Sequence, residues 1–149
     1  MDTLVVCPKC EALNRVRLVR ADQSQAVCGS CKTQLPLQGG VQELSQSTLN
    51  ILMNKSSRPV VVDFWAPWCG PCRTFAPTYQ QAALELAGKM VLTKLNTEAN
   101  PAAGGAYHIK GIPTLVVFVN GAEAARQSGA MSLPSLIEFL KRFHGRSSN

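Results

Sequence analysis

Six cysteines, arranged as three Cys-x-x-Cys pairs with none left over, carry most of the chemistry available to this chain: Cys7/Cys10, Cys28/Cys31 and Cys69/Cys72. Two thiols with two residues between them can present soft ligands to a metal, or close reversibly into a disulfide. Seventeen residues separate Cys10 from Cys28, which lies within the spacing of a four-cysteine zinc site. Each Cys-x-x-Cys turn brings two thiolates to one side, and two such turns complete a tetrahedron around Zn²⁺. On spacing alone, two structural disulfides or a rubredoxin-like iron site stay open. The third pair, in Trp68-Cys69-Gly70-Pro71-Cys72, falls between an apolar strand pattern and a helical one. A thiol at a helix N-terminus meets unsatisfied N–H groups and the positive end of the dipole, which favours its thiolate. Cys-x-x-Cys after a strand in a βαβ setting is a redox signature.

The elements that must position these groups fall into two stretches. Residues 1–38 hold two cysteine pairs and little apolar mass; a strand over residues 14–20 would give a ribbon-like knuckle pair. So small a piece cannot bury enough surface to fold unaided, so metal binding would supply its folding free energy. Gly39-Gly40 then reads as a flexible boundary. Residues 41–149 alternate helix and strand signals. Helical spacing of Leu49, Leu52 and Met53 predicts a helix over 45–54 behind a polar cap. The run 59–66 reads as a strand buried on both faces. A helix over 70–88 should kink at Pro77. Next come a strand over 90–96, a weak helix over 101–108 and a strand over 114–119. Asn120-Gly121 is a hairpin turn into a short edge strand over 124–127, and a helix over 133–143 closes the chain. Alternation of this kind implies an α/β fold, a central mixed sheet covered by helices on both faces.

Composition narrows the function classes. The net charge is +6, from 15 Lys and Arg against 9 Asp and Glu, but the basic residues are scattered. Arg15 and Arg17 alternate as the wet face of a short strand would, so no nucleic-acid surface is expected. No stretch approaches the roughly 18 apolar residues of a membrane span. The start lacks the basic and apolar regions of a secretory signal, so the expectation is a cytoplasmic protein in a reducing compartment. His108 and His144 read as surface residues rather than metal ligands.

The segment Val62-Asp63-Phe64-Trp65-Ala66-Pro67-Trp68-Cys69-Gly70-Pro71-Cys72 resembles the active-site segment of the thioredoxin family. Lys94-Leu95-Asn96, Gly111-Ile112-Pro113-Thr114, Phe118, Asn120-Gly121 and Gly129 follow in the same order, so the resemblance spans about residues 41–146. With the four-cysteine module in front, the chain resembles the bacterial thioredoxin 2 type. One departure is Ala102-Ala103-Gly104-Gly105, a poor helix former where that family has a better one. The resemblance implies a thioredoxin fold preceded by a zinc-ribbon-like module. It implies a protein-disulfide reductase in which Cys69 attacks the target and Cys72 resolves the mixed disulfide. Asp63, alone within an apolar run, is either a tolerated buried acid or a proton acceptor for Cys72; the resemblance favours the acceptor, with Lys94 as its ion-pair partner. It also makes Pro113 a cis-proline facing the disulfide. Trp68, Gly70, Pro71, Ile112, Pro113 and Gly129 then form the docking surface for an extended target. Implied partners are disulfide-bearing proteins and a thioredoxin reductase passing electrons from NADPH, with no flavin or nicotinamide on this chain and a monomeric state. Cys7, Cys10, Cys28 and Cys31 would hold one zinc. The rival readings are an adaptor that docks through the zinc module, and an oxidase or isomerase of the same fold.

Overall fold

The computed structural model describes residues 2–18 and 26–144; Val19 and Arg20, expected at the end of the N-terminal strand, lie outside these. The elements run β1 (Asp2–Val6), β2 (Leu13–Arg17), β3 (Leu37–Gln38), β4 (Val41–Leu44), α1 (Gln46–Lys55), β5 (Val60–Trp65), α2 (Gly70–Glu85), β6 (Val91–Asn96), α3 (Pro101–Ala106), β7 (Thr114–Val119), β8 (Ala122–Ser128) and α4 (Leu133–Lys141). β1 and β2 form an antiparallel ribbon, and the other strands make one mixed sheet in the order β3-β4-β6-β5-β7-β8. β4, β6 and β5 are parallel; β3, β7 and β8 run antiparallel to their neighbours.

Local chemistry accounts for these elements. Val60 to Phe64 are all buried, as a central strand with packing on both faces requires. Ser45 caps α1 with a capping box: its hydroxyl accepts from the Thr48 N–H at 3.2 Å, and Thr48 Oγ1 accepts from the Ser45 N–H at 2.8 Å. On one face of the sheet, Phe75, Tyr79, Leu136 and Leu140 of α2 and α4 pack on Val61, Leu92, Leu115 and Val117. On the other, Leu49 and Leu52 of α1 and Ala103 of α3 pack on Val62, Phe64, Leu95 and Val116.

The expected elements are present, with differences at their edges. α2 runs unbroken through Pro77 and stops at Glu85, before Gly88 turns the chain at φ +86°. β8 is longer than expected, at seven residues. The hairpin β3–β4 was not anticipated. Gly39 and Gly40, expected as a flexible link, form its turn, with φ of +56° and +86°. Positive φ at both positions is where glycine carries no steric penalty.

The N-terminal ribbon is built against the sheet. Leu4 and Val6 join the core of α1, β5 and β7, while Val5 faces the other way onto Cys7, Cys28, Leu35 and Leu37. Gln42 Nε2 donates to the Val6 carbonyl at 3.0 Å, the Gly88 N–H donates to the Asp2 carbonyl at 2.8 Å, and Arg58 pairs with the Asp2 carboxylate at 2.7 Å.

Candidate active site

Cys69 follows β5 by a turn in which its N–H donates to the Ala66 carbonyl at 3.2 Å, and it serves as N-cap of α2. It is disulfide-bonded to Cys72, with their Cα atoms 5.2 Å apart. The Cys72 N–H donates to Cys69 Sγ at 3.2 Å. Once the bond is reduced, the same N–H and the α2 dipole stabilise negative charge on that sulfur. Both sulfurs sit in a small apolar cluster with Ala66, Trp65 and Ile112. The peptide bond between Ile112 and Pro113 is cis, as the resemblance implied, and the Ile112 carbonyl oxygen lies 3.9 Å from Cys69 Sγ. Gly129, at φ +92°, donates its N–H to the Pro113 carbonyl at 2.8 Å and so ties the end of β8 to this loop.

Trp68 is 67% exposed beside the disulfide, and nothing lies within 4 Å of where a side chain at Gly70 would begin. Trp68 and Ile112 line an open cleft of about 410 Å³ together with Thr97, Gly104, Ile109, Lys110 and Gly111. Thr97, Ile109 and Lys110 were not singled out from the sequence, because only the fold brings the end of β6 and the loop after α3 beside Trp68. Gly70 and Pro71 form the first turn of α2 next to the disulfide. His108 is exposed and His144 half-buried.

Asp63 is buried on β5, and its Oδ1 has no hydrogen-bond partner among the described residues. Burial pushes its carboxyl up to about 7, against a downward pull from the Lys94 charge and with an upward push from Glu43. Lys94, expected as the ion-pair partner of Asp63, makes its ion pair with Glu43 instead, at 3.9 Å, and donates to Gln38 Oε1 at 3.2 Å. The reason is register. Lys94 stands between Asp63 on β5 and Glu43 on β4, and the expected strands did not include β4. Glu43 also accepts the indole N–H of Trp65 at 3.3 Å.

The thioredoxin family model matches residues 40–142. The chain is 38% identical over 141 residues to thioredoxin C-3 of Corynebacterium nephridii, covering 92% of each chain. It is 39% identical over 104 residues to the chloroplastic M-type thioredoxin of Brassica napus, covering 70% of this chain and 59% of that one. It is 40% identical over 103 residues to chloroplastic thioredoxin M2 of Arabidopsis thaliana, covering 69% and 55%. The chain belongs to the thioredoxin family. Its fold, its relatives and its Cys69–Cys72 pair are those of a thioredoxin-type disulfide reductase.

This thioredoxin carries a second thiol site. The sulfurs of Cys7, Cys10, Cys28 and Cys31 all lie within 4.8 Å of one another, with Cys7–Cys31 and Cys10–Cys28 both at 3.6 Å. A tetrahedron of Zn–S bonds about 2.3 Å long has edges of about 3.8 Å, so the donor set fits one such ion. The two turns share one construction. The Glu11 N–H donates to the Cys7 carbonyl and the Lys32 N–H to the Cys28 carbonyl, both at 3.0 Å, and Glu11 and Lys32 have φ of +67° and +66°. Asn14 Oδ1 accepts the Gly29 N–H at 2.9 Å and pins the second turn to β2.

Proposed function

We propose that this thioredoxin reduces protein disulfides with Cys69 as attacking thiolate, Cys72 as resolving thiol and Asp63 as proton acceptor. The observation that carries the reading is a thiol pair capping α2, with the Cys72 N–H on Cys69 Sγ, on a sheet that also holds a buried carboxylate lacking a hydrogen-bond partner at Oδ1. The Cys69 thiolate bonds to one sulfur of the target disulfide and expels the other as a thiolate. Asp63 takes the proton from Cys72. The Cys72 thiolate then bonds to Cys69 Sγ, releasing the second target sulfur and leaving the oxidised Cys69–Cys72 pair. Two electrons have passed to the target. In this reading they are restored from NADPH by a thioredoxin reductase, and the chain works as a cytoplasmic monomer. An extended target docks over Trp68, Gly70, Pro71, Ile112, Pro113 and Gly129.

In the same reading residues 1–38 are a zinc-ribbon-like module in front of a thioredoxin domain at 41–149, with Cys7, Cys10, Cys28 and Cys31 holding one zinc. The bound ion supplies four thiolate bonds, and with them folding free energy for a segment too short to bury a large core of its own. Insulin reduction coupled to thioredoxin reductase and NADPH tests the redox reading. Steady NADPH consumption that vanishes in Cys69→Ser is expected. Activity only in oxidising or isomerising reduced substrates would replace it with the rival reading. Elemental analysis should return about one zinc per chain, and iron or no metal would overturn the assignment of the module.

A further inference from the structure

Glu43, Lys94 and Asp63 stand in one cross-strand row over the neighbouring parallel strands β4, β6 and β5. In-register neighbours on a parallel sheet project to the same face. The row therefore reads acid, base, acid, and one lysine has two carboxylates to choose between. Its position shows the choice. Lys94 Nζ lies 3.9 Å from Glu43 Oε1, donates to Gln38 Oε1 at 3.2 Å, and sits 4.9 Å from the centroid of the Trp65 ring. No ion pair joins it to Asp63 among the described residues, where only a through-space attraction acts. The other oxygen of Glu43, Oε2, accepts the indole N–H of Trp65, whose side chain packs on the cluster of Cys69 and Cys72. Glu43 and Lys94 open onto a cavity of about 400 Å³ beneath Leu37 and Gln38, whereas Asp63 is 4% exposed.

We propose that Glu43 is a positioning residue that holds Lys94 off Asp63, while fixing Trp65 against the active-site disulfide. A lysine in direct contact would stabilise the Asp63 carboxylate and make it a poorer base for the Cys72 proton. With the ammonium held at Glu43 and Gln38, Asp63 keeps the proton affinity that burial gives it. The charged and titratable groups facing Asp63 are few. Lys94 comes from β6, Glu43 from β4, and Tyr79 from α2, which also carries both active-site cysteines; β7 offers Leu115. The Tyr79 hydroxyl lies within hydrogen-bond distance of the Thr93 and Val61 carbonyl oxygens, at 2.7 and 3.2 Å, and burial holds its proton on, so it brings no charge. The balance at Asp63 is left to Lys94 and Glu43. Both holders of the lysine lie on the β3–β4 hairpin, outside the active-site segment. The inference rests on the reading of Asp63 as the proton acceptor, and its test separates the two.

The carboxyl carbon of Asp63 is titrated by NMR in the oxidised protein, where no thiol titrates at the active site, for wild type, Glu43→Gln, Lys94→Gln and the double variant. Glu43→Gln keeps the shape and an oxygen for the Trp65 indole but releases Lys94. The Asp63 midpoint should then fall by roughly one pH unit. In the Lys94→Gln background the same change should move it by less than half as much. An unmoved midpoint in Glu43→Gln, or equal movement in the two backgrounds, overturns the proposal, because the second result means Glu43 acts by its own charge and not through the lysine. The pH profile of insulin reduction reads the underlying assignment. If the NMR midpoint falls and the profile stays in place, Glu43 positions Lys94 as proposed and Asp63 is not the acceptor.

Discussion

A carboxylate that must give up its proton inside an apolar sheet leaves a mark on stability as well as on rate. An unfolded aspartate ionises near 3.8, and folded Asp63 near 7. Between these values the folded chain holds a proton that the unfolded chain has lost, so stability falls as pH rises through the window and levels off above about 7. About three pH units correspond to something on the order of 4 kcal/mol. Asp63→Asn should match wild type at pH 4 and exceed it by a few kcal/mol at pH 8 in denaturant titrations, while turning over target more slowly. An advantage of the same size at both pH values would remove ionisation as its cause. The two sulfurs are separated by trapping. Cys72→Ser should accumulate mixed disulfides with targets on non-reducing gels and Cys69→Ser should not; equal trapping would erase the distinction between attacker and resolver. Most of these groups were legible in the sequence, because Trp68-Cys69-Gly70-Pro71-Cys72 is a contiguous motif and Asp63 is an acid in an otherwise apolar strand. Glu43 was not, because its role comes from register across β6 and nothing in its own neighbourhood announces it.

At the level of elements, long periodic segments read well and short ones did not. β5 and β7, each six residues long, show as near-continuous apolar runs, and α1, α2 and α4 have enough turns for the 3.6 period to show. β3 has two residues and β4 four, too few for any period, and the glycine pair between them carries the same signal as a linker. The turn can be tested against a second one. Gly40 and Gly121 have φ of +86° and +80°, so alanine at either costs roughly 1–2 kcal/mol in backbone strain. A Cβ at Gly121 meets nothing within 4 Å, whereas one at Gly40 lies 3.2 Å from Leu18 Cδ1 and 3.5 Å from Ala83 Cβ. Gly40→Ala should therefore lower the denaturation midpoint more than Gly121→Ala. The reverse order would mean that the hairpin yields freely, as a linker would.

Across the whole molecule, the four-cysteine cluster and the large sheet share the β1 strand: Val5 packs toward Cys7 and Cys28, and Leu4 and Val6 toward α1 and β7. Cys28→Ser should abolish tight metal binding and remove hydrogen-exchange protection around residues 26–35, leaving β5 and β7 protected; global loss of protection would mean that the two parts fold as one. Removing residues 1–39 deletes β3 and uncovers the surface under Leu4 and Val6, so the shortened chain should be less stable and should bind an apolar dye. This arrangement also sets a timetable. Leu4 and Val6 leave the ribosome more than a hundred residues ahead of Val116 and Phe118, which belong to the same cluster. At synthesis rates of about 5–20 residues per second that interval is on the order of 10 s. During it Leu4 and Val6 have no sheet to join, whereas Cys7 and Cys28 need only Val5, Leu35 and Leu37 to cover them. The thiol cluster can thus assemble from residues 5–37 while the opposite face of β1 waits for β7 to close over Leu4 and Val6.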